Sequence, residues 1–152
     1  MITEQAILKA QKEWGDGLVR ISQKHQDNED YIVEASNFID DLYAFSTENV
    51  FFKPTLASKD QFRLNRHAAL SYFVGGDSRY QEDIGFALQA WETVRFENVG
   101  FKIEGDIAIA MGNYYFSNNE GEKKVEYTFI YRLMNGNKLL IILHDSHLPY
   151  NP

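Results

Sequence analysis

The second half of the chain is a series of β segments that follow one another directly, and this series restricts the fold more than any other feature. Four segments alternate apolar with polar residues, and the stretches "EGD", "NNEGE" and "NGN" between them are typical of hairpin connections. The segments are "WETVRFENVGFKIEGD", "DIAIAMGNYYFSN", "KKVEYTFIYRLMN" and "NKLLIILHDSH". Strands joined in this way form an antiparallel meander, so the sequence predicts an α+β fold and not a parallel α/β sheet.

The first half of the chain has the pattern of amphipathic helices. Over residues 2–19 apolar side chains recur every three or four positions, and Thr3 stands where an N-cap would. The glycines of "GDG", residues 15–17, predict a kink or an early end of this helix. A second apolar stripe covers residues 31–43, and a third helix is predicted over residues 66–76, where it ends at "GG".

A short strand is predicted in "NVFFKPT", where Pro54 would end it, and "QFRLNR" is a candidate for another strand. The sequence contains no repeat, low-complexity tract or linker. Residues 1–152 are therefore predicted to form a single domain.

The chain is acidic, with a net charge of -7 and a pI of about 5.0. This charge argues against binding to nucleic acid or to an anionic membrane, since both require a positive field. The absence of cysteine excludes a disulfide framework, a thiolate metal site and a cysteine nucleophile. The start "MITEQAILKAQKEW" lacks the pattern of a signal peptide, so we expect a cytoplasmic protein whose partner is a small molecule or a protein.

The strand over residues 125–133 predicts which face of the sheet is inside. Tyr127, Phe129 and Tyr131 share one face, which we expect to meet the helices. Over residues 107–116 both faces have the composition of buried faces. Because helices would cover only one side, this pattern indicates a symmetric homodimer in which a second copy covers the other side.

The end of the chain, "LLIILHDSHLPYNP", combines an apolar strand with two histidines, an aspartate and a serine. A strand that only completes a core needs none of these residues, so they mark a candidate site. If the strand stays extended, Asp145 and His147 share one face, and His144 and Ser146 share the other.

The order of helices followed by a meander with a final "H-x-S-x-x-P" resembles the nuclear transport factor 2-like superfamily, also called SnoaL-like or cystatin-like. "EYTFIY", "NGNKL" and "ILHDSHLP" are similar to the final hairpin of the association domain of calcium/calmodulin-dependent protein kinase II and its bacterial look-alikes. The resemblance implies a cone in which N-terminal helices pack on the concave face of a curved antiparallel sheet. It also implies a cavity at the open end of that sheet.

For the kinase association domain, the resemblance implies a cavity that is lined by arginines from three adjacent strands. The matching positions here are Tyr114, Phe129 and Asp145, and none of them is arginine. The departure puts binding of the same anionic ligands in doubt, but the pocket face stays the same. By register we place Asp145 and His147 on that face, with His144 and Ser146 nearer a subunit contact.

The predicted pocket has aromatic walls and a polar end. Ligand-binding positions are assigned to four side chains: Trp91, Tyr114, Phe129 and Tyr131. Asp145 and His147 are the catalytic candidates, because a carboxylate beside an imidazole fixes the tautomer of the ring and favours its protonated form, as proton transfer requires. The alternatives are that the aromatic residues are ordinary core and that the polar pair only ends the strand in solvent.

Other polar residues are weaker candidates for a functional site. A metal site at the tail is disfavoured, because a strand sends His144 and His147 to opposite faces, and no sequence motif predicts a cofactor. The basic cluster of Arg63, Arg66 and His67 could bind an anion or form local salt bridges, and Asp83 has the pattern of a helix cap.

Two functions fit these observations. The first is a small-molecule-binding protein with an aromatic-walled cavity, in which Asp145 and His147 support a lyase- or isomerase-type proton transfer. The alternative is an oligomerisation module without catalysis, as the kinase association domain is.

Overall fold

The computed structural model describes all 152 residues, which form three α-helices, one short 3-10 helix and a five-stranded sheet. The elements in chain order are α1 (Glu4–Gln26), α2 (Tyr31–Leu42), β1 (Phe51–Lys53), α3 (Arg66–Val74), the 3-10 helix (Phe86–Leu88), β2 (Thr93–Glu104), β3 (Ile107–Asn118), β4 (Gly121–Met134) and β5 (Lys138–His147). The predicted α+β class, with helices first and a meander second, is confirmed.

Helix α1 continues well beyond the two glycines at which a kink or an early end was predicted. The reason is packing: a Cβ atom at Gly17 would lie 2.6 Å from the ring of Phe38, and one at Gly15 would lie 3.1 Å from Cβ of Val94. The glycines therefore allow α2 and β2 to approach α1 closely, and tertiary contacts outweigh their low helix propensity.

The sheet has the order β1-β5-β4-β3-β2. The four long strands form the predicted antiparallel meander, but β1 pairs with β5 in parallel, so the complete sheet is mixed. In the segment "QFRLNR", Arg63 makes only an isolated bridge with Phe52 and does not begin a strand.

A β-bulge interrupts the pairing of β5 with β4. Ile130 pairs with Leu143, whereas the next residue of β4, Tyr131, pairs with Ile141, so that Ile142 is an extra residue on β5. An extra residue reverses the alternation of faces beyond it. The buried positions of β5 accordingly change from Leu139 and Ile141 to His144 and Ser146.

The helices cover one face of the sheet, and a predominantly aromatic core fills the space between them. Tyr127, Phe129 and Tyr131 point into this core, as predicted from their alternation. Trp14 of α1 lies at its centre and contacts six neighbouring rings: Phe38, Phe96, Tyr114, Phe116, Phe129 and His144.

The buried hydroxyl of Tyr131 has no hydrogen-bond partner. An unpaired buried hydroxyl costs roughly 1–3 kcal/mol, so we expect Tyr131→Phe to leave the free energy of unfolding unchanged or to raise it by about 1 kcal/mol in urea titrations. The matched control is Tyr127→Phe, because the Tyr127 hydroxyl accepts a hydrogen bond of 2.8 Å from Gln11 and donates one to Asn98. That control should lose about 1–2 kcal/mol. An equal loss in both variants would contradict the assignment.

Candidate active site

A small cavity lies where α1, α3, β1, β3 and β5 meet, and it is the best candidate for an active site. Its volume is about 10 Å³, near the lower limit for one water molecule. A ligand larger than one water molecule enters only if the lining side chains move apart. The lining residues are Trp14, Phe52, Pro54, Thr55, Tyr72, Phe73, Phe86, Tyr114, His144 and Ser146.

The imidazole of His144 is held between two tyrosines. Its Nδ1 lies 2.9 Å from the Tyr43 hydroxyl, and its Nε2 lies 3.0 Å from the Tyr114 hydroxyl. The indole N–H of Trp14 donates to the same Tyr43 oxygen at 3.0 Å. The ring is also stacked on Phe52 with 4.8 Å between centroids, so both its plane and its polar edges are fixed.

The hydrogen bonds continue from Tyr114 to the cavity. The Tyr114 hydroxyl lies 2.5 Å from Oγ of Ser146, which lies 2.6 Å from Oγ1 of Thr55. Tyr72 also lines the cavity, and its hydroxyl accepts from the backbone N–H of Leu56. The polar wall of the cavity thus consists of hydroxyl groups and one imidazole.

Local sequence explains how these groups meet. The bulge at Ile142 turns His144 and Ser146 toward the core. Pro54, which cannot donate a ladder hydrogen bond, follows the last residue of β1, and Thr55 comes directly after it beside β5. Tyr114 reaches the same point from β3 across β4.

Burial keeps the site uncharged. Desolvation lowers the pKa of His144 to about 3, so the imidazole is neutral at physiological pH. Desolvation also raises the pKa of Tyr114 well above its ordinary value, against the hydrogen bond with Ser146, which lowers it. The pKa values of Tyr43 and Tyr72 are raised by burial in the same way.

The register places Asp145 and His147 on the opposite face from the cavity, so the face assigned to them from the sequence is wrong. The bulge is the physical reason, because the prediction assumed regular alternation along β5. Both side chains are about half exposed, with His147 Nε2 3.1 Å from Glu126 and its Nδ1 3.7 Å from Asp145. Their catalytic role stays a prediction from the sequence. They line an open groove of about 710 Å³ beside Phe51.

The four predicted aromatic positions separate into two groups. Tyr114 lines the cavity and bonds to two of its polar residues. Phe129 lies against the His144 ring, with 4.4 Å between centroids, while Tyr131 is core and Trp91 lies farther away with its indole N–H bonded to Phe86 O. No large pocket opens among these four residues, because the aromatic side chains of the core fill that space themselves.

The basic cluster forms local salt bridges, which was one of the two readings left open. Arg63 is fully buried and makes paired bonds of 2.8 and 2.7 Å to Asp83, which also accepts from Ser71. Asp83 is therefore not a helix cap. Arg66 binds Asp40, and His67 binds Asp77.

Three residues of the site were not identified from the sequence as functional. Tyr43 was assigned to the apolar stripe of α2, Tyr72 to α3, and Thr55 to the end of a strand. The one available signal was Thr55 directly after Pro54 at a strand end, and that pattern is common in turns.

Nowhere in the structure do three or more His, Cys, Asp or Glu residues lie together in a way that could hold a metal ion. None of the helices combines the length and the apolar character needed to span a membrane.

Comparison with known proteins gives consistent results. The sequence model of the family described as metal-independent carbonic anhydrase matches residues 5–148. A metal-independent carbonic anhydrase of Nostoc sp. is 41% identical, over 98% of this chain and 75% of that protein. The crystal structure of a cyanobacterial iota-carbonic anhydrase in complex with bicarbonate is 39% identical, covers 99% of this chain and 94% of its own, and superimposes with a TM-score of 0.96.

The predicted nuclear transport factor 2-like fold is confirmed. A nuclear transport factor 2-like protein of Shewanella oneidensis shares the fold, with a TM-score of 0.60, 11% identity, and coverage of 96% of this chain and 99% of its own. Both functions inferred from the sequence are wrong, because the family match identifies a carbonic anhydrase family and neither a general small-molecule binder nor a non-catalytic association module. The motifs of the final hairpin, which resemble those of the kinase association domain, led to the wrong function because they indicate the fold alone.

His144 should make the folded state sensitive to acid. Its pKa is about 6.5 when unfolded and about 3 when folded, so between these values only the unfolded chain binds the proton. The contribution to stability is complete above pH 6.5 and falls by about 1.4 kcal/mol per pH unit as the pH decreases toward 3. Urea unfolding across this range should show a shallower slope for His144→Gln than for the unchanged chain. Equal slopes in the two proteins would contradict a buried neutral His144.

Proposed function

This chain belongs to the metal-independent carbonic anhydrase family, and we propose on that premise that it interconverts carbon dioxide and bicarbonate in the cavity between Thr55, Tyr114 and Ser146. The observation that carries the proposal is a small, uncharged cavity lined by a continuous series of hydroxyl groups. As it stands it has room for about one water molecule, so carbon dioxide enters as the lining side chains move apart. The relative crystallised with bicarbonate supports the choice of ligand.

The lining suits both sides of the reaction. Carbon dioxide is apolar, and the rings of Phe52, Phe73 and Phe86 provide an apolar wall. Bicarbonate is rich in acceptor oxygens, which the hydroxyls of Thr55 and Tyr72 can bind as donors. No ionised side chain lines the cavity, so neither carbonic acid nor bicarbonate meets a cation that would retain it.

The protonation states favour a neutral proton relay. With its pKa lowered to about 3, His144 is a poor base, and the tyrosines stay protonated. We infer that the oxygen of a water molecule bonds to the carbon of CO2 while one water proton passes to a cavity hydroxyl, Thr55 or Ser146. That hydroxyl gives its own proton to a CO2 oxygen. The product is carbonic acid, which dissociates to bicarbonate and a proton on leaving.

We also propose that the outer face of the sheet joins two copies of the chain in a homodimer. The groove that contains Asp145 and His147 has an apolar rim in which Phe51 and Phe62 are 60% and 64% exposed. Lys53 in the same groove could meet Asp145 of a second protomer, since a two-fold axis pairs each surface with itself. The predicted cytoplasmic location stays a prediction.

Carbon dioxide hydration by the purified protein is the direct test of the function. Removing one hydroxyl with Ser146→Ala or Thr55→Val should lower kcat/KM on the order of 100-fold, because donors at a developing charge contribute about that much. Thr128→Val, the same change on the outer face, should have no effect. Loss of activity in Asp145→Asn and His147→Ala, with Ser146→Ala active, would contradict this site.

The pH profile separates this mechanism from one that depends on an ionising base. Since no lining group titrates near neutrality, kcat/KM for hydration should vary by less than about threefold between roughly pH 6 and pH 9. Stopped-flow assays in paired buffers, with and without a strong zinc chelator, would measure it. A sigmoidal rise centred near pH 7, or inhibition by the chelator, would rule out a neutral relay.

Sedimentation at micromolar concentration tests the homodimer. Phe51→Glu places two charges in the apolar interface and should give monomers, whereas Leu8→Glu, also at an exposed apolar residue but on α1, should leave the dimer intact. A monomer without any substitution would remove the proposal.

A further inference from the structure

We propose that Tyr43, which lies outside the cavity, is a positioning residue that holds His144 in the Nε2–H tautomer and thereby gives the whole hydrogen-bond series one direction. The inference rests on the proposed function for its catalytic consequence, but its structural part stands independently. It follows from counting the donors and acceptors of six side chains: Trp14, Tyr43, Thr55, Tyr114, His144 and Ser146.

The count starts at Trp14, because an indole N–H can only donate. Trp14 donates to the Tyr43 oxygen, so that contact cannot use the Tyr43 proton. The other partner of the Tyr43 hydroxyl is Nδ1 of His144, at 2.9 Å. Tyr43 is 1% exposed, so its proton has no water to bond and must go to Nδ1.

The opposite arrangement leaves a donor unused. If Nδ1 carried the proton, the Tyr43 oxygen would accept from both Trp14 and His144, and the Tyr43 proton would have no acceptor. A buried donor without a partner is disfavoured by about tenfold or more in population. The neutral imidazole therefore carries its proton on Nε2.

This tautomer determines the direction of every later bond. Nε2–H donates to the Tyr114 oxygen, so Tyr114 must donate to Ser146 at 2.5 Å. Ser146 then donates to Thr55 at 2.6 Å. The Thr55 hydroxyl ends the series beside the hydroxyls of Tyr114 and Tyr72. Its proton can turn from them to an oxygen of CO2 or bicarbonate in the cavity.

Tyr43→Phe tests the inference because it removes one hydroxyl at the far end of the series and keeps the ring. Without that hydroxyl, the Nε2–H form loses the bond to Nδ1 that favours it, so the Nδ1–H form gains population. Tyr131→Phe is the matched control, since it removes a buried hydroxyl that bonds to nothing. The tautomer is measured from the 15N chemical shifts of the two ring nitrogens of His144 at neutral pH, assigned by their loss in His144→Gln.

We expect the unchanged protein and Tyr131→Phe to show a protonated Nε2 and a bare Nδ1, and Tyr43→Phe to show a mixture of tautomers. In the same variant kcat for hydration should fall by up to about twofold with KM nearly unchanged, because the Thr55 donor is presented for only part of the population. A purely structural role for Tyr43 would lower stability without moving the ring nitrogen shifts.

Three results would overturn the inference: a proton on Nδ1 in the unchanged protein, an unaltered tautomer in Tyr43→Phe, or a changed tautomer with unchanged kcat. Failure of the proposed function looks different. In that case the unchanged protein would not hydrate CO2 at all, while the nitrogen shifts would still decide whether Tyr43 sets the tautomer.

Discussion

A single extra residue in β5 determines which side chains can form the site. Because Ile142 is bulged, the inward positions change from Leu139 and Ile141 to His144 and Ser146 within one strand. The first pair closes the apolar core beneath α1 and α2, and the second places an imidazole and a hydroxyl in the same layer. Without the bulge, Asp145 and His147 would face the core, where a carboxylate would carry a large desolvation cost among aromatic rings.

The polar groups of the site tolerate burial because almost every one has a partner. Both ring nitrogens of His144 are bonded, and Tyr114 and Ser146 each have two polar neighbours. Surrounding rings such as Trp14 and Phe52 fix the positions of these groups and exclude water. A low local dielectric strengthens each bond and also penalises any charge, which explains why the same packing that orders the series keeps it neutral.

The sequence predicted the fold more completely than the site. Periodicity located the helices, the meander and the inward face of β4, because those features depend on local alternation over many residues. The direction of the tail could not be predicted, since one bulged residue reverses alternation and leaves no mark in the composition of "LLIILHDSH". Tyr43, Tyr72 and Thr55 come from separate elements, and only the tertiary fold shows that they converge.

The departure from the arginine-lined cavity of the kinase association domain now has a physical explanation. Two of the matching positions, Tyr114 and Phe129, face the core beside His144, while the third, Asp145, lies on the outer face. An arginine in so small a cavity would hold a bicarbonate ion tightly through charge-assisted bonds, and release of the anion would then limit turnover. Hydroxyl groups bind the same oxygens more weakly and can both give and accept a proton. For the hydration of carbon dioxide proposed here, which starts from a neutral gas and yields an anion, the uncharged lining of this chain is therefore better suited than an arginine-lined one.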